Sequence, residues 1–355
     1  DEYKVMGLAA YGEPKYLNEM KKIVNLNEDG SFILNLDFFR HHKDKVEYQW
    51  ENGAPKVGKL YSKELTHLLG EERKKDENLT QRHKDIAHSI QAMYELAFFN
   101  LLNTLHARLK ISNLALAGGC AMNSVANGKV YLKTPFKRLY IQSAAGDAGG
   151  AIGAAFSVWH KLGGKRGFEM NHAFWGKHFK DEEIKDLLDS KSSELNKESF
   201  KINHIEDQSI LCKETAKQIS EGRVIGWFQG RMEWGPRALG NRSILCDPRR
   251  KDMKDILNLK IKRRESFRPF APSILREMVG EWFEQDDDVP FMMQVYQILK
   301  EKRKEIPAVT HADGSGRLQT VYEETNPKYY KLIKEFYNLT GVPMVLNTSF
   351  NENEP

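Results

Sequence analysis

Residues 229–273 read QGRMEWGPRALGNRSILCDPRRKDMKDILNLKIKRRESFRPFAPS, and in this stretch Arg231, Arg237, Arg242, Arg249, Arg250 and Arg268 are interleaved with Gly230, Gly235, Pro236, Gly240 and Asn241. Guanidinium groups are planar, permanently charged and suited to gripping phosphate or carboxylate oxygens in pairs. Glycines between them allow backbone N–H groups to approach the same anion. A basic face that merely meets solvent would be rich in lysine, helical and poor in glycine. The pattern therefore predicts an oxyanion pocket. Arg268, set in SFRPFAPS among aromatics and prolines, is expected on a rigid, partly apolar loop.

Two further stretches offer smaller chemical signals. In NLALAGGCAMNSVANGK, an apolar strand (Leu114–Leu116) meets Gly118 and Gly119, and a helix is expected from Cys120 to Lys129. A strand, a glycine turn and a helix N-terminus can hold an anion, with Asn123 as a polar contact. The spacing is neither GxGxxG nor a Walker loop, so a plain strand-to-helix turn is an equal reading. In RLYIQSAAGDAGGAIGAAFSVW, a strand (Leu139–Gln142) leads through Gly146, Asp147, Gly149 and Gly150 into a helix from Ala151 to Trp159. Asp147 is the only acid between Lys110 and Glu169. It reads either as a helix cap, the commoner use, or as a ligand to a metal or hydroxyl. Near the end, the apolar run VPMVLN delivers Asn347, Thr348, Ser349 and Asn351, a ligand-facing cluster if the strand ends as in open α/β sheets. THADGSGRLQTV sets His311, Asp313, Arg317 and Gln319 around two glycines.

The elements that must position these residues follow from periodicity. A long helix is expected over 85–110, with Ile86, Ile90, Met93, Ala97, Leu101 and Leu105 as its core stripe. Residues 31–84 read as polar and irregular. The unpatterned run 163–180 reads as a linker, and divides the chain into domains at 1–168 and 169–355. In the second domain, helices over 181–194 and 209–222 precede a buried strand, RVIGWFQ, and a helix over 252–265 carries Lys260, Lys262, Arg263 and Arg264. Glu284–Asp288 reads as a solvated acidic turn. His88, His106, His172 and His178 read as structural.

At 355 residues the chain has room for two domains. A net charge of +5 does not point to nucleic acid without clustering on one face. Three widely separated cysteines predict reduced thiols in a cytoplasmic protein, and no apolar run is long enough for a membrane span. The opening DEYKVMGLAAYGEPKY and the closing NENEP both read as cut in mid-motif, so an internal fragment of a longer polypeptide is expected.

The segments KVMGLAAYGEP, LALAGGCAMNSVANGK, AAGDAGGAIGAA, GRMEWGPRALGNRSILCDPR, SFRPFAPS, HADGSGRLQTV and VLNTSFNENEP, in this order, resemble the ATP-dependent O-carbamoyltransferases of the NodU/CmcH type. The resemblance implies an α/β plus α+β architecture. The C-terminal part of an actin-like, sugar-kinase-like (ASKHA) domain would be followed by a YrdC-like domain with an open twisted sheet. It implies that carbamoyl phosphate and ATP form carbamoyl-adenylate with release of pyrophosphate. The carbamoyl group then passes to a hydroxyl of a small-molecule or glycan acceptor, assisted by a divalent metal, iron or magnesium. On this sequence Arg237, Arg242 and Arg268 would hold carbamoyl phosphate and the ATP phosphates, with Arg231, Lys262, Asn347, Ser349 and Asn351 as neighbours. Gly118, Gly119 and Asn123 resemble the turn that cradles adenylate, and Asp147 resembles the metal-ligand aspartate. The family's H-x-x-x-H ligand pair does not occur here, so the chain alone is not expected to transfer carbamoyl groups efficiently. No membrane or nucleic-acid partner is implied, and a homodimer is left open. Two other readings remain: an RNA-binding or scaffolding module related to tRNA threonylcarbamoyl modification, and a sugar-kinase-like phosphotransferase.

Overall fold

The computed structural model describes residues 2–51, 54–74, 76–197 and 200–352. It divides into two compact units, Asp1–Leu114 with Val130–Leu139, and Ala115–Lys129 with Tyr140–Pro355.

The first unit is built on helix α1, Gln81–Leu109. Thr80 starts it, donating its N–H to His83 Nδ1 at 3.0 Å, and Lys110 ends it in the left-handed region. The buried face differs from the expected stripe. Of the predicted apolar positions only Met93 is buried, while Ile90, Leu101 and Leu105 are exposed. Asp85, Ala87, Ser89 and Gln91 are buried instead, because this half of the helix clamps the 9–16 turn through polar groups. Asp85 accepts the Glu13 N–H at 3.0 Å, Ser89 Oγ accepts the Tyr16 N–H at 3.0 Å, and His88 Nδ1 donates to the Ala9 carbonyl at 2.8 Å. Residues 31–84 are also more regular than expected. Val24–Leu26 pairs antiparallel with Phe32–Leu34, Tyr48–Glu51 pairs with Ala54–Val57, and Ser62 caps a helix over Lys63–Leu69. These short strands bury almost nothing, with Phe32, Ile33, Tyr48 and Trp50 all exposed, so no burial period marks them in the sequence.

The 9–16 clamp is testable. A Cβ on Gly12 would lie 2.0 Å from the Lys84 carbonyl oxygen, a backbone atom that cannot swing aside. Gly12→Ala is therefore expected to cost about 2–3 kcal/mol in denaturant unfolding. Gly119→Ala, with nothing within 4 Å of its Cβ, is expected to change stability by no more than about 0.5 kcal/mol.

Strands β1 (Asn113–Leu116) and β2 (Arg138–Ile141) form a two-stranded sheet that leads into the glycine turns. The expected helix after Gly119 is broken into a 3-10 turn, Gly119–Met122, and a single α turn, Ser124–Asn127, because Asn123 Oδ1 takes the Ala126 N–H at 3.1 Å and restarts the helix. After β2, helix α2 runs from Gly149 to Lys161.

The second unit centres on a mixed five-stranded sheet. Its strands are β3 (Ile225–Phe228), β4 (Arg242–Cys246), β5 (Ala271–Leu275), β6 (Gln319–Val321) and β7 (Met344–Ser349), in the order β6-β5-β7-β4-β3. Strand β7 is antiparallel to both β4 and β5, and β5 is parallel to β6. RVIGWFQ, expected to be fully buried, is the sheet's edge strand β3: Trp227 is buried but Phe228 is 46% exposed. Helices α3 (Gln208–Ser220) and α4 (Pro327–Thr340) pack on each other and on the sheet. Cys212, Ala216 and Ile219 from α3 and Tyr329, Leu332, Ile333 and Phe336 from α4 enter one core. Pro327 opens α4 and Gly341, at φ 74°, closes it.

The helix expected over 252–265 shortens to Met253–Ile256 and continues as a π turn, Leu257–Ile261. The wider turn carries the Lys262 N–H to the Leu257 carbonyl at 2.7 Å and turns Lys262 inward. The acidic turn is tied down: Arg276 pairs with Asp286 at 2.6 Å and also with Asp288, and burial pushes the Asp287 carboxyl upward.

Candidate functional site

Strand register decides which of the predicted residues meet. Phe228 faces Arg242, Ser349 faces Ser243, Asn347 faces Ala271, and Gln319 lies beside Ser273. The end of β7 therefore lies beside the starts of β4 and β5, and β6 starts at the same end. Arg242 opens β4, Arg268 precedes β5 by three residues, Arg317 precedes β6 by two, and Ser349 and Asn351 terminate β7. Residues scattered over more than a hundred positions of chain thus share one end of one sheet. Arg317 belongs with them; its place between a glycine turn and the buried Gln319 was the signal in the sequence.

The arginines do different work. The Arg242 guanidinium donates to the carbonyls of Gln229 (2.6 Å), Asn241 (2.8 Å), Gly230 (3.1 Å) and Lys177 (3.3 Å), and lies 3.5 Å from the Phe228 ring centroid. Desolvation holds its pKa below the usual arginine value. It is a bracket joining three backbone segments, at 177, 229–230 and 241. Arg231 is exposed and donates to the Gly176 carbonyl at 3.1 Å. Arg249 and Arg250 pair with Asp247 and Asp252, away from the sheet end. Arg268 is buried, with Nε 3.5 Å from Glu265. Arg237 is half-buried, with its Nε screened from water.

Lys262 has no exposed surface. Its Nζ donates to Ser349 O (2.5 Å), Asn351 Oδ1 (2.7 Å), Asn351 O (2.9 Å) and Ser349 Oγ (3.0 Å), so three predicted neighbours form one cluster. Asn347 faces inward. Its Nδ2 reaches Ala238 O and Ser273 Oγ, both at 3.0 Å, and Gln319 Oε1 at 3.2 Å. Gln319 Nε2 in turn donates to the Leu239 carbonyl at 2.8 Å.

The glycine-rich loop differs from the sequence reading in one respect. Its backbone amides do not face an open pocket, because Glu233 Oε1 accepts the N–H groups of Leu239 (2.7 Å), Asn241 (2.8 Å) and Arg242 (3.3 Å). The Gly240 N–H goes to Ser243 Oγ at 3.1 Å. The amides from Leu239 to Arg242 are therefore taken within the chain. Glu233 carried no periodic signal; it lies across a Gly-Pro turn from the amides it binds.

The two glycine turns line a separate cavity of about 710 Å³ within the same compact unit. Gly118 and Asp147 lie on its wall, with Tyr140, Phe156, Phe168 and Glu169; Gly119 and Asn123 do not. Gly118 adopts φ 97° and donates its N–H to the Ala145 carbonyl at 2.7 Å. Ala148 is the N-cap of α2, no side chain caps that helix, and Asp147 is exposed. The capping reading of Asp147 is therefore not met. No three metal-ligating side chains come together among the described residues. Asp147 alone does not make a metal site, and no chemical step is routed here through a metal.

Beside the sheet end, His311 Nδ1 lies 3.1 Å from Ser315 Oγ, which donates to Asp313 Oδ1 at 2.6 Å. Desolvation of the ring pushes the His311 pKa down to about 4, with Arg317 and Lys254 adding to the effect and Asp313 opposing it. The unfolded chain then binds a proton that the folded chain refuses, from about pH 6.5 downward to about 4. Stability is full above pH 6.5 and is expected to fall by about 2 kcal/mol between pH 7 and pH 5. Urea unfolding at the two pH values checks this, and His311→Gln should flatten the difference.

Residues 1–156 match the family described as carbamoyltransferase N-terminus, and residues 216–355 match carbamoyltransferase C-terminus. The chain is 42% identical to the uncharacterised protein sll1178 of Synechocystis sp., over 99% of this chain and 58% of that protein. It is 38% identical to nodulation protein NolO of Bradyrhizobium diazoefficiens, over 99% of this chain and 60% of that protein. A third relative, 3'-hydroxymethylcephem-O-carbamoyltransferase of Streptomyces clavuligerus, is 32% identical over 68% of this chain and 42% of its own length. The chain belongs to the carbamoyltransferase family that contains the NodU and cephem O-carbamoyltransferase proteins. It spans about three fifths of the length of the first two of these relatives. No helix among the described residues is long and apolar enough to cross a membrane.

Proposed function

We propose that this chain is part of an ATP-dependent O-carbamoyltransferase in which the sheet end of the second unit holds the carbamoyl donor. The observation that carries the reading is the convergence of Arg237, Arg268, Arg317 and Lys262 at that end, on loops fixed by buried polar contacts. Activating an acyl phosphate requires little covalent work by the protein and much charge neutralisation, which fixed guanidinium groups supply without reorganising. The names of the relatives support a hydroxyl acceptor.

In the proposed reaction the donor's phosphoryl group leaves as inorganic phosphate with one water consumed. The carbamate oxygen bonds to the α-phosphorus of ATP, and pyrophosphate departs. The acceptor hydroxyl then attacks the carbamoyl carbon and AMP leaves. Arg237, Arg268 and Arg317 neutralise the donor and nucleotide phosphates; Arg242 and Asn347 hold the loops that carry them. The cavity between the glycine turns takes the adenylate, with Gly118 offering backbone at its wall. The cavity wall carries two carboxylates, Asp147 and Glu169, and Asp147 is the one that would hold a divalent ion, iron or magnesium. The proposal also places the ASKHA-like module in residues 1–168 and the YrdC-like module in 169–355, in a cytoplasmic enzyme with no nucleic-acid partner, and leaves a homodimer open.

The test is pyrophosphate formation from ATP by the full-length protein as carbamoyl phosphate is raised. Saturable, donor-dependent pyrophosphate release is expected. Intact ATP binding with no donor-dependent release would overturn the proposal.

A further inference from the structure

The geometry points to Glu233 as the positioning residue that presents Arg237 to the carbamoyl donor, an inference that rests on the donor-site reading above. One carboxylate oxygen gathers three amides of the loop that follows Arg237, at 2.7, 2.8 and 3.3 Å. Converging amides of this kind form an anion-binding concavity, and here the protein's own carboxylate fills it. The opposite side of the loop is held as well: the carbonyl of Ala238 by Asn347 and that of Leu239 by Gln319. The Leu239 side chain is itself buried. From Ala238 to Arg242 the backbone thus has a fixed partner on each side, and Arg237 is the residue at which the chain enters that fixed segment.

Two consequences follow. With the amides from Leu239 to Arg242 already taken within the chain, a phosphate arriving at this segment meets the Arg237 guanidinium rather than those four backbone donors. The negative charge of Glu233 also favours the Arg242 cation, which desolvation opposes. Glu233 does not touch the donor in this account; it acts through Arg237. Removing it frees three amides and lets the loop move, and a displacement near 1 Å at a binding group is enough to cost roughly ten- to a hundredfold in affinity.

The experiment is a double-mutant cycle on the full-length protein, with carbamoyl phosphate affinity measured by titration calorimetry and folding followed by thermal melting. The variants are Glu233→Gln, Glu233→Ala, Arg237→Lys, which retains a charge and a measurable affinity, and the Ala/Lys double. Glu233→Gln keeps an oxygen for the amides and should bind within about threefold of the parent. Glu233→Ala should bind roughly tenfold or more weakly, and much of that loss should vanish in the Arg237→Lys background, since coupled residues are not additive. Parental affinity in both Glu233 variants, with Arg237→Lys impaired, would overturn the positioning role while leaving the donor site standing. An equal Glu233→Ala loss in both backgrounds would also overturn it, because the effect would then not pass through Arg237. Parental affinity in Arg237→Lys and in Arg237→Ala would remove the donor-site reading itself, and the inference with it. If Glu233→Ala does not fold, Glu233→Gln still decides: a folded variant with more than tenfold weaker binding would contradict the acceptor-geometry argument.

Discussion

Arg237→Ala is expected to leave the fold intact and to weaken carbamoyl phosphate binding by roughly 30- to 1000-fold, equivalent to about 2–4 kcal/mol. The expectation comes from comparing two arginines five residues apart. Arg242 directs its guanidinium to four backbone carbonyls and stacks on Phe228. Truncating it removes four hydrogen bonds that tie these backbone segments together, two of them partly buried, so Arg242→Ala should show itself first as lost stability. Arg237 is half-buried at the entry to the same loop, whose amides and carbonyls are already matched by Glu233, Ser243, Asn347 and Gln319. Those contacts hold the backbone of the loop from Ala238 to Arg242. Calorimetric titration of the full-length protein with carbamoyl phosphate, using inorganic phosphate as the control ligand, separates the two roles. Unchanged affinity in Arg237→Ala would remove Arg237 from the donor site. A stable, fully folded Arg242→Ala would show that its four carbonyl contacts carry no weight.

This division of labour marks the limit of what residue types alone disclose. The sequence showed that arginines and glycines share a segment, and the carbamoyltransferase resemblance rests on that segment among others. It did not show which guanidinium is spent on backbone, because that depends on where β3 ends relative to β4. The amides were misread for a similar reason: Glu233 reaches back to them only once Gly235 and Pro236 have turned the chain. Gly235 makes that turn at φ 121° with its Cα side pressed on the Ser143 carbonyl, where a Cβ would lie 2.5 Å away. Strand β7 was legible because an apolar run is a local signal. The face of α1 was not, since Asp85 and Ser89 are buried by a turn some seventy residues earlier in the chain. Lys262 was placed on a helix by its neighbours, and only the π turn before it puts its ammonium against Ser349 and Asn351.

Gly240→Ala should be severely damaging to the second unit. Gly240 sits at φ 105°, a region closed to residues with a Cβ, and the added carbon would lie 2.2 Å from the ring of Tyr329. That ring has no exposed surface and belongs to α4, whose Leu332, Ile333 and Phe336 are locked into the core against α3. Neither partner can yield cheaply: the loop is pinned on both sides, and shifting Tyr329 means shifting the helix. Backbone strain and overpacking then add, and a loss of about 4 kcal/mol or more is expected. Against a typical stability of about 5–15 kcal/mol this consumes a large share of what holds the domain folded. Urea unfolding should show a lower midpoint with the slope retained if the folded state still forms. Gly150→Ala makes the matched comparison, since no atom lies within 4 Å of its Cβ position and its φ is ordinary. The donor affinity should fall with the stability in Gly240→Ala, because the strained residue lies within the segment that positions Arg237. A Gly240→Ala protein with the parental midpoint and parental affinity would show that α4 and the arginine loop are free to separate, and the loop could not then be the rigid support on which the donor site depends.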